Sequence, residues 1–331
     1  MQALPVQYAT TKDGKSIAYT VCGEGRPFVV VPHLFNHVHY VWHRYPAWYE
    51  GLARRFRLIL YDGRGQGLSS RGLDPDHSMA HWQLDLEAVV EAAGLERVVL
   101  MGAAHAGHVA IRYAAQNPHR VAALVLNTVT ASMVDWAPSF FRDLSLENWD
   151  YFIDRMAQGL ALDVRAGVQA LKESTTREEM EVSQRVIVPS DVQDILPSLR
   201  TPTLVIHSRE YTLVRPELGS RLAASIPNAH FVLVGGKRLY GDAEQGIAAI
   251  EQFLGQLPAE SSAGDRAADG LSAREIEVLR LIGAGRSNQQ IADELVISAS
   301  TVAKHVGSIF DKTGAANRTE AAVYARDHGI V

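Results

Sequence analysis

Two groups of histidines and one cluster of small polar residues are the side chains of this sequence best suited to chemistry. His33, His37, His39 and His43 fall close together, and His105 and His108 follow the turn-like Gly102-Ala103-Ala104. Near neutral pH, imidazoles serve as metal ligands or proton acceptors. A metal site needs convergent ligands, however, and neither H-E-x-x-H nor C-x-x-C accompanies these histidines. They read as hydrogen-bonding pocket or packing residues, with no metal and no cofactor. Near the carboxyl terminus, Ser300, Thr301, Lys304 and His305 interleave with Val302, Val306 and Ile309. With Ile291, Leu295 and Ile297, these apolar residues can bury a core between two short helices. The polar side chains then sit on the exposed start of the second helix.

At 331 residues with 47% hydrophobic content, the chain exceeds one ordinary domain, and two are expected. Short β-rich apolar runs recur at 28–31, 56–61, 97–101, 121–126, 203–206 and 231–234, mostly separated by helical patterns. That alternation predicts an α/β domain over 1–256, a mostly parallel sheet with helices on both faces. The segment 133–199 interrupts it with helix formers and with Trp136, Phe140, Phe141, Trp149, Tyr151 and Phe152. It reads as a helical lid over the sheet's carboxyl edge, where open α/β sheets bind ligands. Small polar residues over 257–270 read as a linker. A small all-α domain follows over 271–331, with helices expected at 272–282, 288–295, 300–312 and 319–327. Ser272 and Glu275 form a capping box, and Gly285 and Gly314 stand where helices stop.

A net charge of −5 excludes a wholly basic, nucleic-acid-coating protein but not a small DNA-reading module. With Cys22 alone there is no intrachain disulfide, and a reducing compartment is expected. No apolar run reaches membrane-spanning length, and Met1 is followed by a polar, strand-like start. A cytoplasmic protein without membrane attachment is expected.

Three further segments carry a resemblance over residues 6 to 255. Asp62-Gly63-Arg64-Gly65-Gln66-Gly67-Leu68-Ser69, Asn117-Pro118-His119-Arg120-Val121 and 199–207 resemble landmarks of the α/β-hydrolase fold. The run 98–107 then corresponds to that family's G-x-S-x-G nucleophile elbow, with Ala104 at the serine position. The resemblance places Tyr211 at the acid position, with Glu210 nearby as a possible substitute. Arg238 is the nearest counterpart of the histidine. An arginine stays protonated and cannot accept a proton. The expectation is therefore no hydrolysis, with ligand binding instead. Candidate ligand residues are His33, Leu34 and Phe35 in the oxyanion-loop position, Ala104, His105, Trp136, Phe140, Tyr211 and Arg238.

From Leu271 onward the chain resembles the LuxR-type helix-turn-helix family, through 271–279, 285–292, 297–305 and 317–321. The resemblance implies DNA contacts from Asn288, Ser300, Thr301, Val302, Lys304, His305, Lys312 and Arg318. Two positions depart from it: Ala303 stands where a basic residue is frequent, and Thr313 where leucine is usual. The expected protein is a ligand-responsive transcriptional regulator that binds a small, partly apolar effector. It would act as a homodimer on an inverted-repeat operator. Two rivals remain: an unusual hydrolase or lyase with a DNA-targeting domain, and a ligand-independent DNA-binding protein whose first domain is a dimerisation scaffold.

Overall fold

The computed structural model describes residues 5–135, 146–159, 164–257, 271–295, 297–328 and 330. Trp136, Phe140, Phe141 and nearly all of the expected linker lie outside them. The chain divides into two compact units, Met1–Gln256 and Leu257–Val331.

Among the described residues, the first unit holds one sheet of eight strands: β1 (Gln7–Thr10), β2 (Ser16–Cys22), β3 (Pro27–Val30), β4 (Arg57–Tyr61), β5 (Val98–Ala103), β6 (Val121–Asn127), β7 (Thr203–Ser208) and β8 (His230–Val234). Their order is β1-β2-β4-β3-β5-β6-β7-β8. Only β2 runs antiparallel to its neighbours, and the remaining pairs are parallel. The expected sheet is present, with β1 and the antiparallel β2 added at one edge. β5 and β6 are buried at every residue, as strands covered on both faces must be. Around the sheet lie α1 (Val41–Arg44), α2 (Pro46–Ala53), α3 (Met79–Ala92) and α4 (Ala106–Gln116). They are followed by α5 (Trp149–Gly159), α6 (Val164–Ser174), α7 (Arg177–Ile187), α8 (Pro216–Ala224) and α9 (Ala243–Gln256).

Helices α5 to α7 occupy the expected lid segment, and two anchors hold it. The Gly67 amide donates to the Ser174 carbonyl at 2.8 Å. Glu179, buried at the start of α7, accepts from Arg71 Nε at 3.0 Å and from the Gly72 amide at 2.8 Å. It also completes a capping box with Thr176, so one carboxylate both starts a helix and ties it to the loop after β4.

The second unit contains α10 (Ala273–Gly283), α11 (Asn288–Leu295), α12 (Ala299–Thr313) and α13 (Arg318–Asp327). Ser272, Ser298 and Asn317 cap three of these by accepting amide hydrogens. Gly285 at φ +77° and Gly314 at φ +72° adopt the left-handed conformation that favours glycine after a helix. The core includes Val278, Ile282, Ile291, Val302, Ile309 and Ala321. Helix α12 begins at Ala299, one residue before the sequence pattern placed it, because Ser298 supplies the cap.

Val302 requires a correction. Its side chain is fully buried in this core and faces away from solvent, so it supports α12 from behind. Burial of a valine stabilises by about 1.5–3 kcal/mol, which favours its inward position over any surface role.

Candidate functional site

The turn after β5 places Ala104 at φ +50°, a conformation costly for any residue with a Cβ. Tight packing enforces it. A Cβ on Gly102 would come within 2.6 Å of the Ala106 carbonyl oxygen, and one on Gly107 within 2.4 Å of Val129 Cγ2. Helix α4 therefore begins directly against the sheet, and the Ala104 amide donates to the Asn127 carbonyl at 3.3 Å. Ala104 is nearly buried, and its methyl group offers no nucleophile.

His105 and His108 flank the start of α4 with different roles. Burial pushes His108 down to about 4, and its two ring nitrogens sit 2.6 Å from Ser190 Oγ and 2.9 Å from the Thr130 carbonyl. That residue joins β6 to the segment after α7. Burial also pushes His105 down to about 3, so its ring is neutral across the physiological range. It lies 6.2 Å from the Trp82 ring and lines a narrow crevice with Gly63, Gln66, Trp82 and Asp85. No cluster of three or more metal-ligating side chains occurs among the described residues.

The loop after β3 brings His33, Leu34 and Phe35 into the same region, all buried. Phe35 holds φ +61° and packs 6.2 Å from the Phe152 ring of α5, linking the loop to the lid. His33 Nδ1 lies 2.8 Å from the Leu34 carbonyl, which assigns the proton to that nitrogen. Its Nε2 is buried and has no hydrogen-bond partner among the described residues. Burial, followed by the nearby positive charge of Arg44, holds this imidazole far below its ordinary range.

Tyr211 follows β7, and its phenol is raised by burial. Glu210 is exposed, and its carboxylate accepts from the Gly236 amide, so it is engaged in the loop after β8. In that loop Arg238 lies over the Tyr45 ring at 4.8 Å and donates from Nη2 to the Arg44 carbonyl at 2.9 Å. Tyr240 packs 4.6 Å from Tyr45 and 6.2 Å from His33. A continuous polar and aromatic cluster therefore runs from His33 through Tyr240 and Tyr45 to Arg238. Arg44, Tyr45 and Tyr240 belong to it although sequence reasoning missed them. For Arg44 and Tyr45 the signal was the aromatic run around Tyr40–Tyr49, which reads equally well as core packing, and for Tyr240 it was proximity in sequence to Arg238.

In the second unit, Ser300 and Lys304 are exposed on α12, with Thr301 and His305 half-buried beside them. The Ser298, Ser300 and Thr301 hydroxyls form a local network with spacings of 2.8 Å. Arg318 Nη1 donates to Asn288 Oδ1 at 3.0 Å, while Nη2 reaches the Arg286 carbonyl. These two expected DNA residues thus join α13 to the start of α11. Lys312 is paired with Glu275 at 2.7 Å.

A parallel-centred α/β sheet with a sharp strand-to-helix elbow defines a hydrolase-type fold, and the capped four-helix unit contains a helix-turn-helix. The alpha/beta hydrolase fold family matches residues 27–187, and the luxR family of bacterial regulatory proteins matches 269–325. A non-heme chloroperoxidase from Burkholderia pyrrocinia is 30% identical over 236 residues, covering 62% of this chain and 83% of that protein. The transcriptional regulatory protein LiaR of Bacillus subtilis is 41% identical over 63 residues, covering 19% of this chain and 30% of LiaR. The crystal structure of a hydrolase from Pseudomonas aeruginosa PA01 aligns with TM-score 0.64 and 24% identity, over 76% of this chain and 98% of that one. The chain belongs to the α/β-hydrolase fold family, fused to a LuxR-type DNA-binding regulator domain. No helix among the described residues is long and apolar enough to cross a membrane.

Proposed function

We propose that this protein is a ligand-responsive transcriptional regulator whose hydrolase-type unit binds a small, partly apolar molecule without hydrolysing it. The observation that carries this reading is Ala104 at the elbow of a chain that also holds a DNA-binding module. A methyl group cannot attack a carbonyl. Arg238 cannot accept a proton, Glu210 is held by the Gly236 amide, and His105 titrates too low for an effective base near neutral pH. The retained elbow and enclosing lid then serve recognition. A cytoplasmic homodimer on an inverted-repeat operator completes the proposal, with half-sites about one helical turn, roughly 34 Å, apart.

Selection of binding sites from random DNA tests it together with an assay on short activated esters. The expected outcome is a defined DNA motif and no turnover. Lys304→Ala should relax preference at one base position by about 1–3 kcal/mol, because its exposed ammonium lies on the start of α12. Ester turnover that copurifies with the protein and disappears in His105→Ala would support the enzymatic alternative. Absence of any selected motif would remove the regulator reading.

A further inference from the structure

At the end of α1, Arg44 is nine-tenths buried, and its Nε and Nη1 have no hydrogen-bond partner among the described residues. Its guanidinium carbon lies 5.4 Å from the centre of the Tyr45 ring. A π face attracts the cation but supplies no lone pair to the N–H groups. Arg238 approaches the same ring at 4.8 Å, so two positive groups share one aromatic platform. Burying a guanidinium without an acceptor is costly, because an unpaired charged donor loses its hydration without replacement. Arg64, the other buried arginine among the described residues, avoids that cost by pairing with Asp85 at 2.8 Å and with Asp13 at 2.6 Å.

Arg44 is also connected to the candidate ligand site. Its charge acts on His33, Tyr211 and Tyr240, and His33 in turn interacts electrostatically with His105 beside the elbow. His33 Nε2 is a second orphaned polar atom of this cluster, an acceptor in the tautomer assigned above. Among the described residues, the site thus lacks an anionic acceptor at Arg44 and a hydrogen-bond donor at His33.

We infer that Arg44 is the recognition residue for a carboxylate group of the effector, and that His33 Nε2 accepts a hydrogen bond from a hydroxyl or N–H on the same molecule. This rests on the ligand-binding reading above and narrows its ligand to organic acids. Carboxylate binding at a planar guanidinium supplies charge-assisted hydrogen bonds, stronger than neutral ones, while the aromatic cluster receives the apolar part.

The test uses the full chain, with 2-hydroxybenzoate as the probe, benzamide as its uncharged comparator and inorganic phosphate as a non-carboxylate anion. In the wild type, 2-hydroxybenzoate should give a saturable rise in the thermal midpoint, and neither comparator should. Arg44→Met should raise the midpoint of the ligand-free protein, since it removes an unpaired buried charge while keeping an unbranched apolar stem. It should also weaken probe binding by at least about tenfold. Arg44→Lys should retain part of the response. A lower ligand-free midpoint in Arg44→Met would make Arg44 a packing residue and overturn the inference. So would an equal response to benzamide or phosphate, or no response to the hydroxy acid. Site selection on Arg44→Met separates the two readings: a preserved DNA motif with no probe effect in the wild type sinks only the carboxylate site, whereas loss of the motif from the wild type sinks the regulator.

Discussion

Glu275 holds several partners at once. Its carboxylate accepts from the Ser272 amide at 2.6 Å, from Ser308 Oγ at 2.5 Å and from Lys312 Nζ at 2.7 Å. Burial opposes its ionisation, but the Lys312 and Ser308 hydrogen bonds outweigh that effect and hold it down at about 2. Because the folded value lies below the ordinary glutamate value of about 4.3, the contribution to stability is complete above the latter. It disappears as pH falls from there through about 2. Lys312→Met should move the Glu275 midpoint upward and cost about 1 kcal/mol at neutral pH, a figure kept small because the lysine is about one-third exposed. Carboxyl titration by NMR checks this, and an unmoved midpoint would remove Lys312 as the cause. This pairing was illegible in the sequence because its members lie 37 residues apart. In the sequence, Lys312 stood among the DNA contacts that the family resemblance implies. The orphaned state of Arg44 was hidden for a similar reason, since a missing partner becomes visible only when the neighbours are in place. Ala104 was readable because its context is local, a strand followed at once by a helix.

The elements of the sheet were legible wherever burial produced an apolar run. β3 to β8 all fall on such runs; for β3 to β7 the reason is burial, since strands covered on both faces have few polar residues, whereas β8 keeps an apolar run although most of it is exposed or half-buried. β1 and β2 do not: Gln7–Thr10 is mostly exposed, and its position is set by antiparallel pairing with Ser16–Cys22. In α12 the motif placed Val302 among DNA-contacting residues, whereas its spacing from Ile309 placed it in the core. The spacing prevailed, since residues seven apart share a helix face. At the elbow, element packing makes its own prediction. Gly107 lets α4 approach Val129, which is fully buried on the segment after β6. Gly107→Ala should therefore destabilise the first unit by about 1–3 kcal/mol, although alanine is the better helix former by about 1 kcal/mol. Adding Val129→Ala should recover part of that loss, a coupling a double-mutant cycle measures directly. Strictly additive effects of the two substitutions would refute the contact as the cause.

At the scale of the molecule, regulation requires that occupancy of the first unit change the DNA affinity of the second. A coupling of about 1–3 kcal/mol is typical of allosteric proteins and suffices for this. Ala104 provides a way to break that link without touching α12. Its backbone already holds φ +50°, so a larger side chain meets a conformation the fold has accepted. The effector for the experiment is whichever compound raises the thermal midpoint in a metabolite screen. At 100 times its dissociation constant it adds about 2.7 kcal/mol to the stability of the unit that binds it. In Ala104→Trp that stabilisation should vanish and DNA affinity should stop responding to the compound. The motif selected by α12 and the affinity without ligand should stay as in the wild type, because Ala299–Thr313 and its cap at Ser298 are unaltered. A folded Ala104→Trp protein that still binds the compound normally would place the effector site away from the elbow. Loss of DNA binding in the absence of ligand would show instead that the elbow contributes to the DNA-competent state itself.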